Sequence, residues 1–225
     1  MKNKFERYEL KYILSLEQYG VILEEIKKHL QIDKYGESTI QSLYYDTDNY
    51  LLIRNSIEKP LYKEKLRARS YGLASDIVFL ELKKKYNGIV YKRRVELKEK
   101  EITRIINEKK YSNQVEHEIA YFSDYYISLE PRMLLIYDRS AYYNENLDLR
   151  ITLDKNIRYR VKDLNLHTSL HGDPLLDDNQ VLMEIKSLKG YPLWLVKLLN
   201  SKSIYKQSFS KYGYAYQKEM KKREY

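Results

Sequence analysis

Charged residues stand at every second position in segment after segment of this chain. Lys65-Leu-Arg67-Ala-Arg69 sets three cations in five residues, with apolar residues between them. Arg7-Tyr-Glu9-Leu-Lys11-Tyr, Glu81-Leu-Lys83, Tyr137-Asp-Arg139, Arg150-Ile-Thr152-Leu-Asp154 and Glu184-Ile-Lys186 share the form. Side chains on a strand alternate between its two faces, so each segment presents charge on one face and apolar groups on the other. Arg offers bidentate hydrogen bonds to phosphate oxygens, and Lys a mobile point charge. The carboxylates among these cations have two jobs open to them. They can hold Mg²⁺ or Mn²⁺, hard ions that prefer oxygen ligands, or they can pair with Lys and Arg and keep a repulsive surface foldable. Two unit charges about 4 Å apart attract by roughly 1 kcal/mol in water and several-fold more at an effective dielectric near 20, so enclosing a polyanion matters as much as the number of cations. The spacing suggests a polyanion site with room for a metal.

Composition narrows the partners. The 225 residues are enough to bury a real core. Forty-one Lys and Arg against 32 Asp and Glu give a net charge of +9, which favours an anionic partner such as nucleic acid, acidic lipid or phosphate. There is no cysteine, which excludes a disulfide framework and a thiolate metal site and fits a reducing compartment. The first residues, Met1-Lys-Asn-Lys-Phe-Glu-Arg, carry charge in place of the apolar run of a signal peptide. No apolar run approaches the length of a membrane span, so the expectation is a soluble, cytoplasmic protein. Twenty-five tyrosines suit strands that are apolar along the ring and wet at the tip. The seven glycines never form GxxxxGK[ST] or GxGxxG, so the common nucleotide-binding signatures are absent.

The elements that must position these charges can be read in order. A strand is expected over Phe5–Ile13. A helix then starts at Ser15, whose spacing to Gln18 matches a capping box, with Leu16, Tyr19, Leu23, Ile26 and Leu30 as its apolar stripe. Thr39–Thr47 reads as a strand, and Asn49–Ile57 as a short helix or turn. Lys63–Tyr71 and Ile77–Lys85 are strands. The turn Tyr86-Asn87-Gly88 leads into Ile89–Leu97 and makes a hairpin. Helices are expected over Lys98–Lys110 and Glu116–Ser128, with Pro131 dividing the second from the strand Met133–Tyr143. Asn144-Glu-Asn146 turns into Asp148–Leu153, and Ile157–Val161 continues or follows that strand. A loop through Asp173-Pro174 and Asp177-Asp178-Asn179 precedes the strand Val181–Leu188. Gly190-Tyr-Pro192 opens a Leu-rich helix, and the tail from Ser208 ends it or starts another. No repeat and no long linker divides the sequence, so residues 1–225 are expected to form a single α+β domain. About eight antiparallel strands with a few flanking helices are expected to close into a barrel or tunnel with a polar interior.

Each motif taken alone has a plainer explanation. Lys65, Arg67 and Arg69 could be a solvated strand face. Glu81 and Lys83 with Lys92 and Arg94 could be cross-strand ion pairs, and Glu184 a surface carboxylate. Repetition over six or more strands argues against spending all these faces on solvent. His167 and His171 have helical metal spacing but sit in a loop-like stretch with no third ligand evident. No Ser-His-Asp arrangement stands out, which argues against covalent hydrolase chemistry. Cations placed regularly inside strands, instead of clustered in tails and loops, argue against nucleic acid as the partner.

The order of motifs resembles a VTC domain, the catalytic domain of the vacuolar transporter chaperone polyphosphate polymerases in the triphosphate tunnel metalloenzyme superfamily. The resemblance rests on Arg7-Tyr-Glu9-Leu-Lys11-Tyr, Ser42-Leu-Tyr-Tyr-Asp46-Thr47, Lys65-Leu-Arg67-Ala-Arg69, Glu81-Leu-Lys83, Tyr91-Lys92-Arg-Arg94, Tyr137-Asp-Arg139, Arg150-Ile-Thr-Leu-Asp154, Leu182-Met-Glu184-Ile-Lys186 and Phe209-Ser-Lys211-Tyr. It implies an antiparallel β-tunnel that uses ATP and Mn²⁺ or Mg²⁺ to build inorganic polyphosphate. Arg67, Arg69, Arg139 and Lys211 would be the catalytic cations that orient the donor. Lys11, Lys65, Lys83, Lys92, Arg94, Tyr137, Arg150, Lys186 and Lys206 would bind substrate or product. Glu184 would be the principal metal ligand, with Glu9 as a second. The partners implied are ATP and inorganic polyphosphate, with room for a separate membrane partner. A triphosphate hydrolase and a non-catalytic polyphosphate- or nucleic-acid-binding module remain alternatives, because fold does not fix function.

Overall fold

The computed structural model describes residues 8–188 and 190–224. Fifteen elements follow one another along them: β1 (Tyr8–Ser15), α1 (Leu16–His29), β2 (Gln31–Asp46), α2 (Leu51–Ile57), β3 (Tyr62–Tyr71), β4 (Ile77–Tyr86), β5 (Ile89–Lys98), α3 (Glu101–Ile106), α4 (Gln114–Tyr125), β6 (Glu130–Asn144), β7 (Leu149–Arg160), β8 (Asp173–Pro174), β9 (Gln180–Ser187), α5 (Leu193–Ser201) and α6 (Lys211–Arg223). The architecture is α+β, and the strand pairs of known register are antiparallel. Strands pair in the order β1-β9-β7-β6-β2-β3-β4-β5, with β8 on β7. That path is open, and among the described residues no pairing joins β5 back to β1. The expected closed barrel is therefore corrected to an open sheet. Alternation decides which face of a strand is charged, whereas closure depends on strand tilt and stagger, which alternation does not encode.

The chain divides into two compact units. One draws on the chain through Thr39, on Tyr137–Ile157 and on Leu176–Phe209; the other on Ile40–Ile136, Arg158–Leu175 and the chain from Ser210 onward. In the first unit, Tyr12, Leu14, Ile151, Leu153, Met183 and Ile185 turn one face of β1, β7 and β9 towards Ile22 and Ile26 of α1 and Leu195 and Leu199 of α5. Each such aliphatic side chain contributes about 1.5–3 kcal/mol on full burial. The capping box forms as the sequence predicts: the Gln18 amide donates to Ser15 Oγ at 3.1 Å and the Ser15 amide to Gln18 Oε1 at 3.0 Å. Glu17 in the first turn and Lys27, Lys28 and His29 in the last complement the helix dipole. Leu16, expected in the buried stripe, is 53% exposed, because the stripe runs through Ile22 and Ile26 instead.

In the second unit, Leu43, Leu66, Ala68, Val78, Leu80, Leu82 and Leu97 form the apolar face of β2–β5. Ile102, Ile105 and Ile106 of α3 and Ile119, Ala120 and Phe122 of α4 pack against it. The hairpin turn forms with Asn87 at φ 45° and Gly88 at φ 84°. Two successive positive φ values give the turn whose twist matches the flanking strands. Helices thus occupy the apolar face of the sheet segments in each unit, which leaves the other face to the charges.

Several boundaries differ from expectation. β2 begins at Gln31, through residues with little apolar pattern of their own, because strand pairing recruits them. Pro131 is the second residue of β6 rather than its separator, a position where a strand tolerates a missing donor. The segments Asp148–Leu153 and Ile157–Val161 fuse into the single strand β7. Phe5–Arg7 of the expected first strand lie outside the described residues.

Candidate functional site

Two charged faces emerge, one in each unit. On the second unit's face, strand register aligns the predicted cations in rows. Lys65 lies opposite Lys83, and Lys83 opposite Lys92, so three lysines stand abreast on β3, β4 and β5. The next row is Tyr44, Arg67, Glu81 and Arg94, and the one after pairs Ser42 with Arg69. Like charges directly opposite destabilise a sheet, so this arrangement needs a counter-charge.

Glu81 supplies it. Its side chain is buried, at 2% exposure, and it receives Arg67 Nε at 2.8 Å and Nη2 at 2.7 Å on one oxygen. Lys92 Nζ lies at 2.7 Å and Arg94 Nε at 3.7 Å from the other oxygen, and Arg69 Nε lies 3.9 Å from the first. Burial pushes the Glu81 carboxyl up, but Arg67, Arg69 and Lys92 together outweigh it and hold the group at about 2. Arg67 also donates from Nη1 to Tyr44 Oη at 3.1 Å. Arg94 lies 3.6 Å from the centre of the Phe79 ring, a cation–π contact.

Helix α6 is fastened beside this face. Its N-cap Ser210 accepts a hydrogen bond from Lys65 Nζ at 3.1 Å, and Lys211 is its first residue. Tyr212 stacks on Tyr44 at 4.3 Å and donates to Asp46 Oδ2 at 2.8 Å. Fully buried Asp46 also accepts the amides of Thr47, Leu52 and Ile53. Burial raises the Asp46 carboxyl above its ordinary value, while these hydrogen bonds act in the opposite sense.

The first unit's face is built on β1, β9 and β7. Lys11 stands opposite Glu184, which stands opposite Thr152, and Glu9 opposite Lys186, which stands opposite Arg150. The two carboxylates share the two lysines. Lys186 Nζ lies 2.7 Å from Glu184 and 3.6 Å from Glu9, and Lys11 Nζ lies 3.3 Å from Glu9 and 3.9 Å from Glu184. On β6, Arg139 makes a bidentate pair with fully buried Asp154, at 2.6 and 2.8 Å, and lies 5.1 Å from the ring of Tyr137. Burial lowers the Arg139 pKa, but Asp154 dominates and holds it well above its ordinary value.

The predicted residues therefore separate by unit. Lys65, Arg67, Arg69, Lys83, Lys92, Arg94 and Lys211 belong to the second, and Glu9, Lys11, Tyr137, Arg139, Glu184 and Lys186 to the first. Arg150 is exposed and pairs with Asp33 at 2.9 Å. Lys206 is exposed in the loop after α5, next to Gln207, whose amide donates to the Lys11 carbonyl at 2.8 Å. His167 contacts the Ala74 carbonyl and the Glu99 carboxylate, which gives it a structural role.

Glu184 and Glu9 are carboxylate oxygen donors of the kind magnesium and manganese take, and both are paired with Lys11 and Lys186 in the structure. Mg²⁺ is usually held by one or two carboxylates and completes its shell with phosphate oxygens and water. Among the described residues, no three His, Cys, Asp or Glu gather to hold a metal by protein alone. Thr152 Oγ1, across the strand pair from Glu184, is a buried polar atom without a hydrogen-bond partner in the structure.

Tyr44, Asp46, Glu81 and Asp154 stand within the sequence motifs but were not among the residues expected at the site. Strand parity offered the signal, since Asp154 shares a face with Arg150, and Tyr44 with Ser42 and Asp46.

The family model for the VTC domain matches residues 6–220. No curated protein sequence matches the chain. Among solved structures, a "putative adenylate cyclase" from Bacillus halodurans superposes with a TM-score of 0.56 at 16% identity, covering 91% of this chain and 95% of its own. A second protein of that description, from Vibrio parahaemolyticus, superposes with a TM-score of 0.50 at 12% identity, covering 92% and 96%. At such identities the likeness concerns the fold. No helix among the described residues is long and apolar enough to cross a membrane. With the match running almost from end to end, the chain belongs to the VTC domain family.

Proposed function

We propose that this domain is a metal-dependent polyphosphate polymerase that transfers the γ-phosphoryl group of ATP to a growing polyphosphate chain. The observation that carries this reading is the cation array of β3–β5: three lysines abreast, one of which, Lys92, joins Arg67, Arg69 and Arg94 around one buried carboxylate. A terminal oxygen of the acceptor phosphate would attack the γ-phosphorus as the bond to the β–γ bridging oxygen breaks, releasing ADP. The acceptor is itself a phosphate, so no protein nucleophile is needed. Catalysis of such a transfer is largely positioning and charge neutralisation.

Arg67, Arg69, Arg139 and Lys211 would orient the donor. Lys11, Lys65, Lys83, Lys92, Arg94, Tyr137 and Lys186 would hold the remaining phosphates, with Arg150 and Lys206 at the exposed margins. Glu184, with Glu9, would hold Mn²⁺ or Mg²⁺, which supplies neutralisation of phosphate charge when bound. The test is incubation of the purified protein with ATP and Mn²⁺, followed by sizing of the product. Long polymer that disappears in Arg67→Ala supports the reading. Free phosphate without polymer would mark a triphosphate hydrolase instead. Binding without turnover would mark a non-catalytic module.

A further inference from the structure

Burial without a hydrogen bond is costly for a hydroxyl, and most buried serine and threonine hydroxyls among the described residues avoid it. Ser123 Oγ donates to the Ile106 carbonyl at 2.8 Å, Ser187 Oγ to the Gly190 carbonyl at 2.6 Å, and Ser70 Oγ to the Gly72 carbonyl at 3.0 Å. Among the described residues, two serine or threonine hydroxyls are buried without a partner: Ser42 Oγ and Thr152 Oγ1. The residues are 1% and 4% exposed. Both stand on the charged faces, Ser42 opposite Arg69 and Thr152 opposite Glu184.

The surroundings explain what each lacks. A guanidinium has donors and no acceptor, so Arg69 cannot receive the Ser42 proton. The Glu184 carboxylate could receive that of Thr152, but it is turned to Lys186 at 2.7 Å and Lys11 at 3.9 Å. Each hydroxyl is a donor in want of an acceptor, set among cations that attract one. A phosphate oxygen is an acceptor of the matching charge.

We infer that Ser42 and Thr152 are phosphate-binding residues, each donating its hydroxyl proton to a phosphate oxygen held on the charged face of its own unit. The inference rests on the proposed function, in which these faces hold phosphates. It adds neutral donors that read oxygen position to cations that read charge. The unsatisfied hydroxyls of the ligand-free protein are then a cost to stability that bound phosphate relieves.

That cost gives the test an uncommon sign. Thr152→Val and Ser42→Ala each delete a hydroxyl with little change of shape. Each should leave the melting temperature of the ligand-free protein unchanged or higher, and should weaken binding of sodium tripolyphosphate, read by calorimetry, by about tenfold, the loss expected for one hydrogen bond to a charged group. Thr152→Ser, which keeps the hydroxyl, should bind like the wild type. Wild-type affinity in both deletions would overturn the inference and assign the hydroxyls to buried water. A lowered melting temperature accompanying weaker binding would overturn it in favour of a purely structural role. A wild-type protein that binds no tripolyphosphate would instead refute the proposed function itself.

Discussion

Replacing Glu81 by Gln removes the buried carboxylate around which Arg67, Arg69, Lys92 and Arg94 gather. The side chain keeps its size, so the change is chiefly one of charge. In the folded protein the carboxyl sits at about 2 against an ordinary 4.5. At about 1.4 kcal/mol for each pH unit between those values, the ionised group contributes roughly 3 kcal/mol to folding. Because the folded-state value is the lower one, this stabilisation is complete above about pH 4.5 and is lost as pH falls towards 2. Urea unfolding of the wild type and Glu81→Gln at several pH values isolates that contribution. The variant should be less stable by about 3 kcal/mol at pH 7, and the gap should shrink steadily below pH 4.5. A gap that stays constant with pH would refute the reasoning, because it would show that the carboxylate acts through shape or a neutral hydrogen bond and not through its charge.

Two further substitutions probe the frame around the charged faces. Asp154→Asn leaves Arg139 in place without its bidentate carboxylate, and should cost about 3–5 kcal/mol in urea unfolding, as for other broken buried ion pairs; a loss under about 1 kcal/mol would contradict the burial of this pair. Gly172→Ala would place a methyl carbon 2.8 Å from the Tyr159 carbonyl oxygen, in a segment where Arg160 donates to the carbonyls of Ser169 and His171 at 2.9 and 2.8 Å. Thermal unfolding should show a loss of about 1–3 kcal/mol, and wild-type stability would mean that the segment yields freely.

The sequence alone determined what depends on neighbours along the chain. The Ser15–Gln18 capping box, the Asn87-Gly88 hairpin and the charged and apolar faces of β3, β4 and β9 were legible, because caps, turns and strand parity are local. So was the order of the motifs, and with it the family. Elements without a pattern of their own were not legible: the first half of β2 is polar and becomes a strand only by pairing, and Pro131 falls second in β6, where a strand tolerates a missing donor. Register was legible only within the β4–β5 hairpin, where the pairing of Glu81 with Lys92 and Arg94 could be read from the turn; between strands distant in sequence it was beyond reach. It alone put Lys65, Lys83 and Lys92 abreast, turned Glu81 from one motif residue into the counter-ion of four cations, and gave Arg139 to Asp154. It also left Ser42 and Thr152 buried without acceptors. The open strand order belongs to the same class of fact. Alternation acts within one strand and says which side a charge takes. Only the pairing of distant strands decides which charge stands beside which, and whether the sheet closes.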